Sequence, residues 1–210
     1  METQLLKGKP VADAMDQKTI EDVSKLKDAG ITPCLAVLRV GEKKDDIAYE
    51  RSILKRAEKL GIAILSKVLT VESSQEEVKQ CIISINEDAS VHGILMFLPL
   101  PAHLDEKELV ETICPEKDMD GVTSISKAGL YSGSHVGYPP CTPDGIMRIL
   151  EFYEKDVAGK HVAVVGRSLV TGKPMAMMLL EKNATVSICH SRTPDLGAIT
   201  RQADMVVVCT

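Results

Sequence analysis

The amino-acid sequence predicts a two-domain α/β protein built on parallel sheets, and three observations carry this. Short apolar, β-branched runs alternate with helical patterns, the order that buries parallel strands between layers of helices. One such run, His161-Val162-Ala163-Val164-Val165, passes through a glycine-bearing turn into an apolar helical stretch from Met175 to Lys182. Between the two halves, Pro115 to Pro143 is rich in Gly, Ser and Pro and breaks the rhythm, as functional loops and domain boundaries do.

Taken in order, Val11, Met15, Ile20, Val23 and Leu26 recur at helical spacing, so a helix is expected from Pro10 to Ala29, ended by Gly30. Thr32 to Val40 reads as a strand, Gly41 to Asp46 as a charged turn, and Ile47 to Leu60 as a helix closed by Gly61. Ile62 to Leu69 is a second strand. Ser73 or Ser74 caps a second helix running to Asn86, with Glu76 and Glu77 behind the cap. Gly93 to Leu98 is a third strand, halted by Pro99 and Pro101, and Asp105 to Ile113 a third helix. Thr142 is placed to cap a helix over 143–154, with Pro143 in its first turn. The strand 161–165, the helix after it, a strand at 184–190 and a last strand at 204–209 complete the chain. A doubly wound domain would carry further strands, so the second domain reads as incomplete at its C-terminal end. The expected division is 1–138 and 139–210.

Composition excludes several classes. With 44% hydrophobic and 26% charged residues the chain is that of a globular protein. Its net charge of −5, the absence of Trp and the interspersed signs argue against a nucleic-acid partner. No apolar run is long enough to span a bilayer, and no signal-peptide pattern opens the chain, so a cytoplasmic protein without a membrane partner is expected. The six cysteines are scattered without Cys-x-x-Cys spacing, and the five histidines lack ligand spacing. Buried free thiols and no metal site follow.

The turn Gly166-Arg167-Ser168-Leu169-Val170-Thr171-Gly172 joins strand to helix as in a Rossmann-type βαβ unit, where free helix N–H groups hold a pyrophosphate. Its spacing is Gly-x-Ser-x-x-x-Gly, not Gly-x-Gly-x-x-Gly, and a tight turn with no ligand has the same sequence. The following strand sharpens the reading. An NAD site places an acid about 20 residues past the glycines for the ribose 2′-OH. None occurs here before Asp195, and Arg167, Ser191 and Arg192 stand in the region instead. Guanidinium and hydroxyl groups suit a 2′-phosphate, which favours NADP as cofactor. A solvated surface role for Arg192 is the alternative.

Several motifs then converge in one order: Tyr49 on a helix after Val40-Gly41, Gly93-Ile94-Leu95 leading to Leu98-Pro99-Leu100-Pro101, Pro115-Glu116-Lys117-Asp118-Met119-Asp120-Gly121, Pro140-Cys141-Thr142-Pro143-Asp144-Gly145, Gly166-Arg167-Ser168 and Cys189-His190-Ser191. Together they closely resemble the bifunctional methylenetetrahydrofolate dehydrogenase/methenyltetrahydrofolate cyclohydrolase family across essentially the whole chain. The resemblance implies two domains flanking a cleft, folate on the first and NADP on the second, hydride transfer from the folate methylene carbon, and a homodimer. Tyr49 resembles the tyrosine that stacks on the folate, and Asp120 the aspartate that bonds the pterin, with Leu98, Pro99, Leu100 and Pro101 beside them. A carboxylate suits a pterin edge because that edge presents adjacent N–H donors. Without the resemblance, Tyr49 reads as a packing tyrosine and Asp120 as a turn residue before Gly121.

Three departures from the family pattern matter. Its catalytic lysine, four residues after the tyrosine, is Ile53 here, and its glutamine before the Leu-Pro-Leu-Pro segment is Phe97. Lys55 lies about 240° round the helix from Tyr49 and points away. Arg56 returns to the stripe about 10 Å further on, but it is too basic to exchange a proton near neutral pH. A polar pair has become an apolar pair, which leaves no buried polar partner stranded. The third departure is that the family's later strands, glycine-rich loop and final helix do not occur in these 210 residues. The expectation is a dehydrogenase with a weakened cyclohydrolase step, or else a non-catalytic folate- or nucleotide-binding relative.

Overall fold

A computed structural model describes residues 4–209. Two three-stranded parallel sheets organise two compact units, one spanning Ala12–Ser124 and the other Ile125 onward together with the segment up to Val11.

In the first unit, β1 (Cys34–Val40) lies between β2 (Ala63–Leu69) and β3 (Gly93–Met96), with Cys34 beside Ala63 and Leu35 beside Gly93. As a central strand its Ala36, Val37 and Leu38 are fully buried. Helix α3 (Gln75–Glu87) sends Val78, Ile82 and Ile85 into the core formed with Ala36, Leu38 and Ile94. It begins with the expected capping box: Ser74 Oγ accepts the Glu77 N–H, and the Glu77 carboxylate accepts the Ser74 N–H. Helix α2 (Lys44–Leu60) lies against β2 and ends on Gly61 in the left-handed conformation, and helix α1 (Gly8–Asp28) is tied to α2 by Asp16, which pairs with Arg56 and Lys59. Helix α2 starts three residues earlier than the sequence predicts. The residues read as a charged turn include Asp45 and Asp46, which belong to the first turn, where carboxylates favour the positive end of the helix dipole.

Strand β3 is shorter than expected: Phe97 and Leu98 lie beyond its end, although the Phe97 N–H still bonds the Leu38 carbonyl at 2.9 Å. Helix α4 (Glu106–Glu111) is likewise shorter, and Asp105 caps it by accepting the Glu108 N–H. The stretch expected to be a loop holds a 3₁₀ turn (Pro115–Lys117) and helix α5 (Ser124–Ser132). Periodicity hides α5 because Gly129 sits inside it. A Cβ at that glycine would collide with the Val136 backbone, so a close chain approach, not propensity, settles the residue there.

In the second unit, β4 (His161–Val165) is central, between β5 (Thr185–Cys189) and β6 (Met205–Val208). Helix α6 (Cys141–Phe152) begins before Thr142 and has no side-chain cap, so the expected Thr142 cap is not formed, while Pro143 does fall in the first turn. Helix α7 (Gly172–Glu181) packs Met175, Ala176 and Leu179 on Val162 and Val164. Helix α8 (Leu196–Gln202), absent from the sequence reading, is capped by Asp195, which accepts the Ala198 N–H at 2.8 Å. The cysteines are free, but burial differs from expectation: Cys189 alone is buried, Cys141 is exposed, and the others are half-buried. Among the described residues no helix is long and apolar enough to cross a membrane.

Candidate active site

The first unit offers an aromatic pair just beyond the C-terminal end of β3, and an apolar cavity that runs from Tyr49 past the starts of β1 and β3 at Cys34, Leu35, His92 and Gly93. Helix α2 presents Tyr49, 58% exposed, and the chain leaving β3 presents Phe97, 8% exposed. Their rings meet with centroids 5.3 Å apart and planes tilted by 39°, within the range of favourable aromatic pairs. Phe97 therefore braces the exposed Tyr49 ring. One turn beyond Tyr49, half-buried Ile53 faces the same cavity. That cavity is about 520 Å³, and Leu35, Leu95 and Met119 form much of its apolar wall.

Among the described residues no lysine lines this cavity, and His92, which does, accepts the Cys34 N–H at Nδ1 (3.2 Å). Arg56 lines the cavity, but its guanidinium pairs with Asp16 at 2.6 Å. Lys59 binds the other oxygen of that buried carboxylate at 2.8 Å. Lys55 is exposed.

The segment after Phe97 is fixed by polar contacts. Leu100 N–H donates to Glu106 at 2.8 Å, and Lys43 donates to the Pro99 carbonyl at 3.4 Å. Leu98 and Pro99 remain exposed, Pro101 is half-buried and Leu100 is buried. Asp120 is half-buried, directly after the cavity-lining Met119, and its carboxylate has no hydrogen-bond partner among the described residues.

Helix α2 is itself held by a buried network that sequence reasoning missed. Glu50, next to Tyr49, accepts from Arg39 Nε at 2.9 Å and from Ser66 Oγ at 2.6 Å, and Arg39 also donates to the Gly41 carbonyl. Burial alone would raise the Glu50 pKa, but the bonds from Ser66 and Arg39 together outweigh it and hold the carboxyl below its ordinary range. No local pattern signals the network, because its members come from three elements.

In the second unit, the turn after β4 has the build of a phosphate cradle. Gly166 has φ +131°, a conformation that side chains rarely adopt, and its N–H bonds the Cys189 carbonyl at 2.8 Å. A Cβ on Gly172 would strike the Gly166 carbonyl, so the helix can start against the turn only with glycine there. Ser168 Oγ accepts the Thr171 N–H at 3.1 Å and shapes the approach to α7. Arg167 and Ser168 are exposed. At the same sheet edge, the turn after β5 is closed by His190 N–H to Thr193 Oγ1 (2.9 Å) and Arg192 N–H to His190 Nδ1 (3.2 Å), with Ser191 and Arg192 exposed. The nearest acid, Asp195, is occupied as the α8 cap. This donor set fits a dinucleotide carrying an extra phosphate better than one needing a ribose acid.

A parallel-sheet domain bearing an apolar cavity and a second bearing a strand–glycine turn–helix cradle define the class: a two-domain α/β enzyme with an NAD(P)-binding domain. Comparison with known proteins specifies it. The tetrahydrofolate dehydrogenase/cyclohydrolase catalytic domain matches residues 6–120, and the NAD(P)-binding domain of the same family matches 140–210. The bifunctional protein FolD of Alkaliphilus oremlandii is 46% identical over 205 residues, covering 98% of this chain and 72% of that protein. FolD of Clostridioides difficile is 43% identical over 204 residues, 97% of this chain and 71% of the relative. Among solved structures, the bifunctional FolD of Campylobacter jejuni superposes with a TM-score of 0.96 at 41% identity, over 99% of this chain and 73% of that one. The Trypanosoma brucei FolD, solved with NADP and an inhibitor, gives 0.92 at 32% identity, over 100% and 72%. The chain belongs to the tetrahydrofolate dehydrogenase/cyclohydrolase family.

Proposed function

We propose that this chain oxidises 5,10-methylenetetrahydrofolate to 5,10-methenyltetrahydrofolate with NADP, as a cytoplasmic homodimer, and that its cyclohydrolase step is severely impaired. The folate domain is assigned to 1–138 and the NADP domain to 139–210. The observation that supports this reading best is the apolar pair Ile53 and Phe97 beside Tyr49: the Phe97 ring packs on the Tyr49 ring at a 39° tilt, and Ile53 lies one turn away.

The two reactions ask different things of that edge. In the oxidation, a C–H bond of the methylene carbon breaks and its electron pair leaves as hydride, while the adjacent amine lone pairs take up the positive charge. Bound NADP supplies the hydride acceptor. No proton moves, so no general base is required, and positioning carries most of the catalysis. Tyr49 offers a ring face to the amidinium cation as it forms. Asp120 holds the N–H edge of the pterin, and Leu98 to Pro101 wall the ring. On the second domain, the Gly166–Gly172 turn holds the pyrophosphate, with Arg167, Ser191 and Arg192 around the 2′-phosphate.

Two measurements test the assignment. Asp120→Ala is expected to weaken tetrahydrofolate binding by about 2 kcal/mol or more, as for a lost charge-assisted hydrogen bond. Unchanged affinity in a calorimetric titration removes Asp120 from the site. NADP is expected to bind more tightly than NAD, and Arg192→Ala to reduce NADP affinity selectively, by about 1.5–3 kcal/mol. If NAD binds as well as NADP, the assignment of Arg167, Ser191 and Arg192 is wrong.

A further inference from the structure

Asp120 stands at the apex of a short turn, and the residues before it are spent on holding that turn. Lys117 uses its ammonium on three carbonyls at the end of α3: Ile85 at 2.9 Å, Asn86 at 2.8 Å and Asp88 at 2.7 Å. An ammonium has three donors, so none remains for a ligand. The positive charge also faces the negative end of the helix dipole. Asp118 is 1% exposed. One of its carboxylate oxygens accepts the Val122 N–H at 3.0 Å, and the other accepts the Thr123 N–H at 2.9 Å. Its backbone forms a parallel bridge with Ile94 of β3, and its carbonyl accepts the Gly121 N–H at 3.2 Å. The turn is thus tied at one end to α3, at its base to the sheet, and at the other end to its own backbone. Asp120, between the ties, keeps a half-buried carboxylate with no hydrogen-bond partner among the described residues.

We propose that Lys117 and Asp118 are positioning residues that pre-set the Asp120 carboxylate for the folate substrate. This rests on the reading of Asp120 as the pterin ligand. A carboxylate on an untied turn would sample many orientations and lose that freedom on binding. One on a clamped turn has already lost it, which strengthens binding without adding a contact. The Lys117 ammonium is taken up by the end of α3, and both Asp118 carboxylate oxygens accept from backbone N–H groups, so the role proposed for them runs through Asp120.

The test is a double-mutant cycle in the full chain, with tetrahydrofolate as probe. Asp118→Asn turns one acceptor into an amide that faces an N–H, and Lys117→Met removes the charge while keeping the stem. Each is expected to weaken tetrahydrofolate binding, about tenfold for Asp118→Asn, and to leave NADP affinity unchanged. In an Asp120→Ala background neither is expected to weaken it further, because their effect runs through Asp120. Equal weakening with and without Asp120, or no weakening at all, overturns the clamp. If Asp120→Ala itself leaves tetrahydrofolate binding intact, the pterin assignment falls and the clamp with it. Loss in Asp120→Ala but not in the clamp variants overturns the clamp alone. If Asp118→Asn shows no cooperative thermal transition, the Lys117→Met cycle decides.

Discussion

Hydrolysis of the methenyl bridge by this chain is expected to run about 10²–10⁴-fold slower than in a family member with the lysine and glutamine in place, the usual contribution of general acid–base help. Water must attack the amidinium carbon, and protons must move as the intermediate collapses. Ile53 can neither donate, accept nor polarise. Phe97 is packed on Tyr49, and Arg56 is engaged by Asp16. Separate assays of methenyl-folate hydrolysis and NADP reduction check this. Enzyme-dependent hydrolysis at a rate comparable to hydride transfer sinks the idea. Restoring the pair as Ile53→Lys with Phe97→Gln is expected to raise hydrolysis by more than the two single changes combined. Alone, a lysine at 53 would sit among apolar groups without its partner, and a glutamine at 97 would remove the ring that braces Tyr49. If the double variant only matches the combined singles, positions 53 and 97 do not form one site.

Glu50→Ala is expected to cost about 3–5 kcal/mol of stability, because it leaves the buried Arg39 guanidinium without its counter-charge. Urea unfolding of the full chain measures it, and a loss below about 1 kcal/mol would show that the network is no stronger than an exposed pair. The same group sets a pH dependence. Its folded pKa is depressed below the ordinary glutamate value by Ser66 and Arg39 against the opposing effect of burial. The unfolded chain therefore takes up the proton first as pH falls. The stabilisation is complete above the unfolded value of about 4.3, and declines as pH drops from there through the folded value. Glu50→Gln should flatten that part of the stability profile, and an unaltered acid limb would remove Glu50 as its cause.

These two predictions mark how far the sequence can be read. Ile53 and Phe97 were legible as departures because the motifs around them, Tyr49 and Leu98 to Pro101, fix the alignment locally. Glu50 was not, since its partners lie on other strands, 11 and 16 residues away. The same division runs through the fold. Alternating apolar runs, the Ser74–Glu77 capping box, the terminating Gly61 and the Gly166–Gly172 turn are encoded over a few neighbouring residues, so the sequence by itself determined two parallel α/β units and a strand–glycine turn–helix connection in the second. Tertiary structure decided what depends on distant neighbours. Helix α5 forms around a glycine that admits the Val136 backbone, β3 stops before Phe97 so that its ring can reach Tyr49, and Lys117 caps a helix about thirty residues earlier in the chain. Patterns of period two or 3.6 report which face of an element is apolar. They carry no information on which remote side chain or carbonyl meets that face, and in this protein those meetings set the shape of the site.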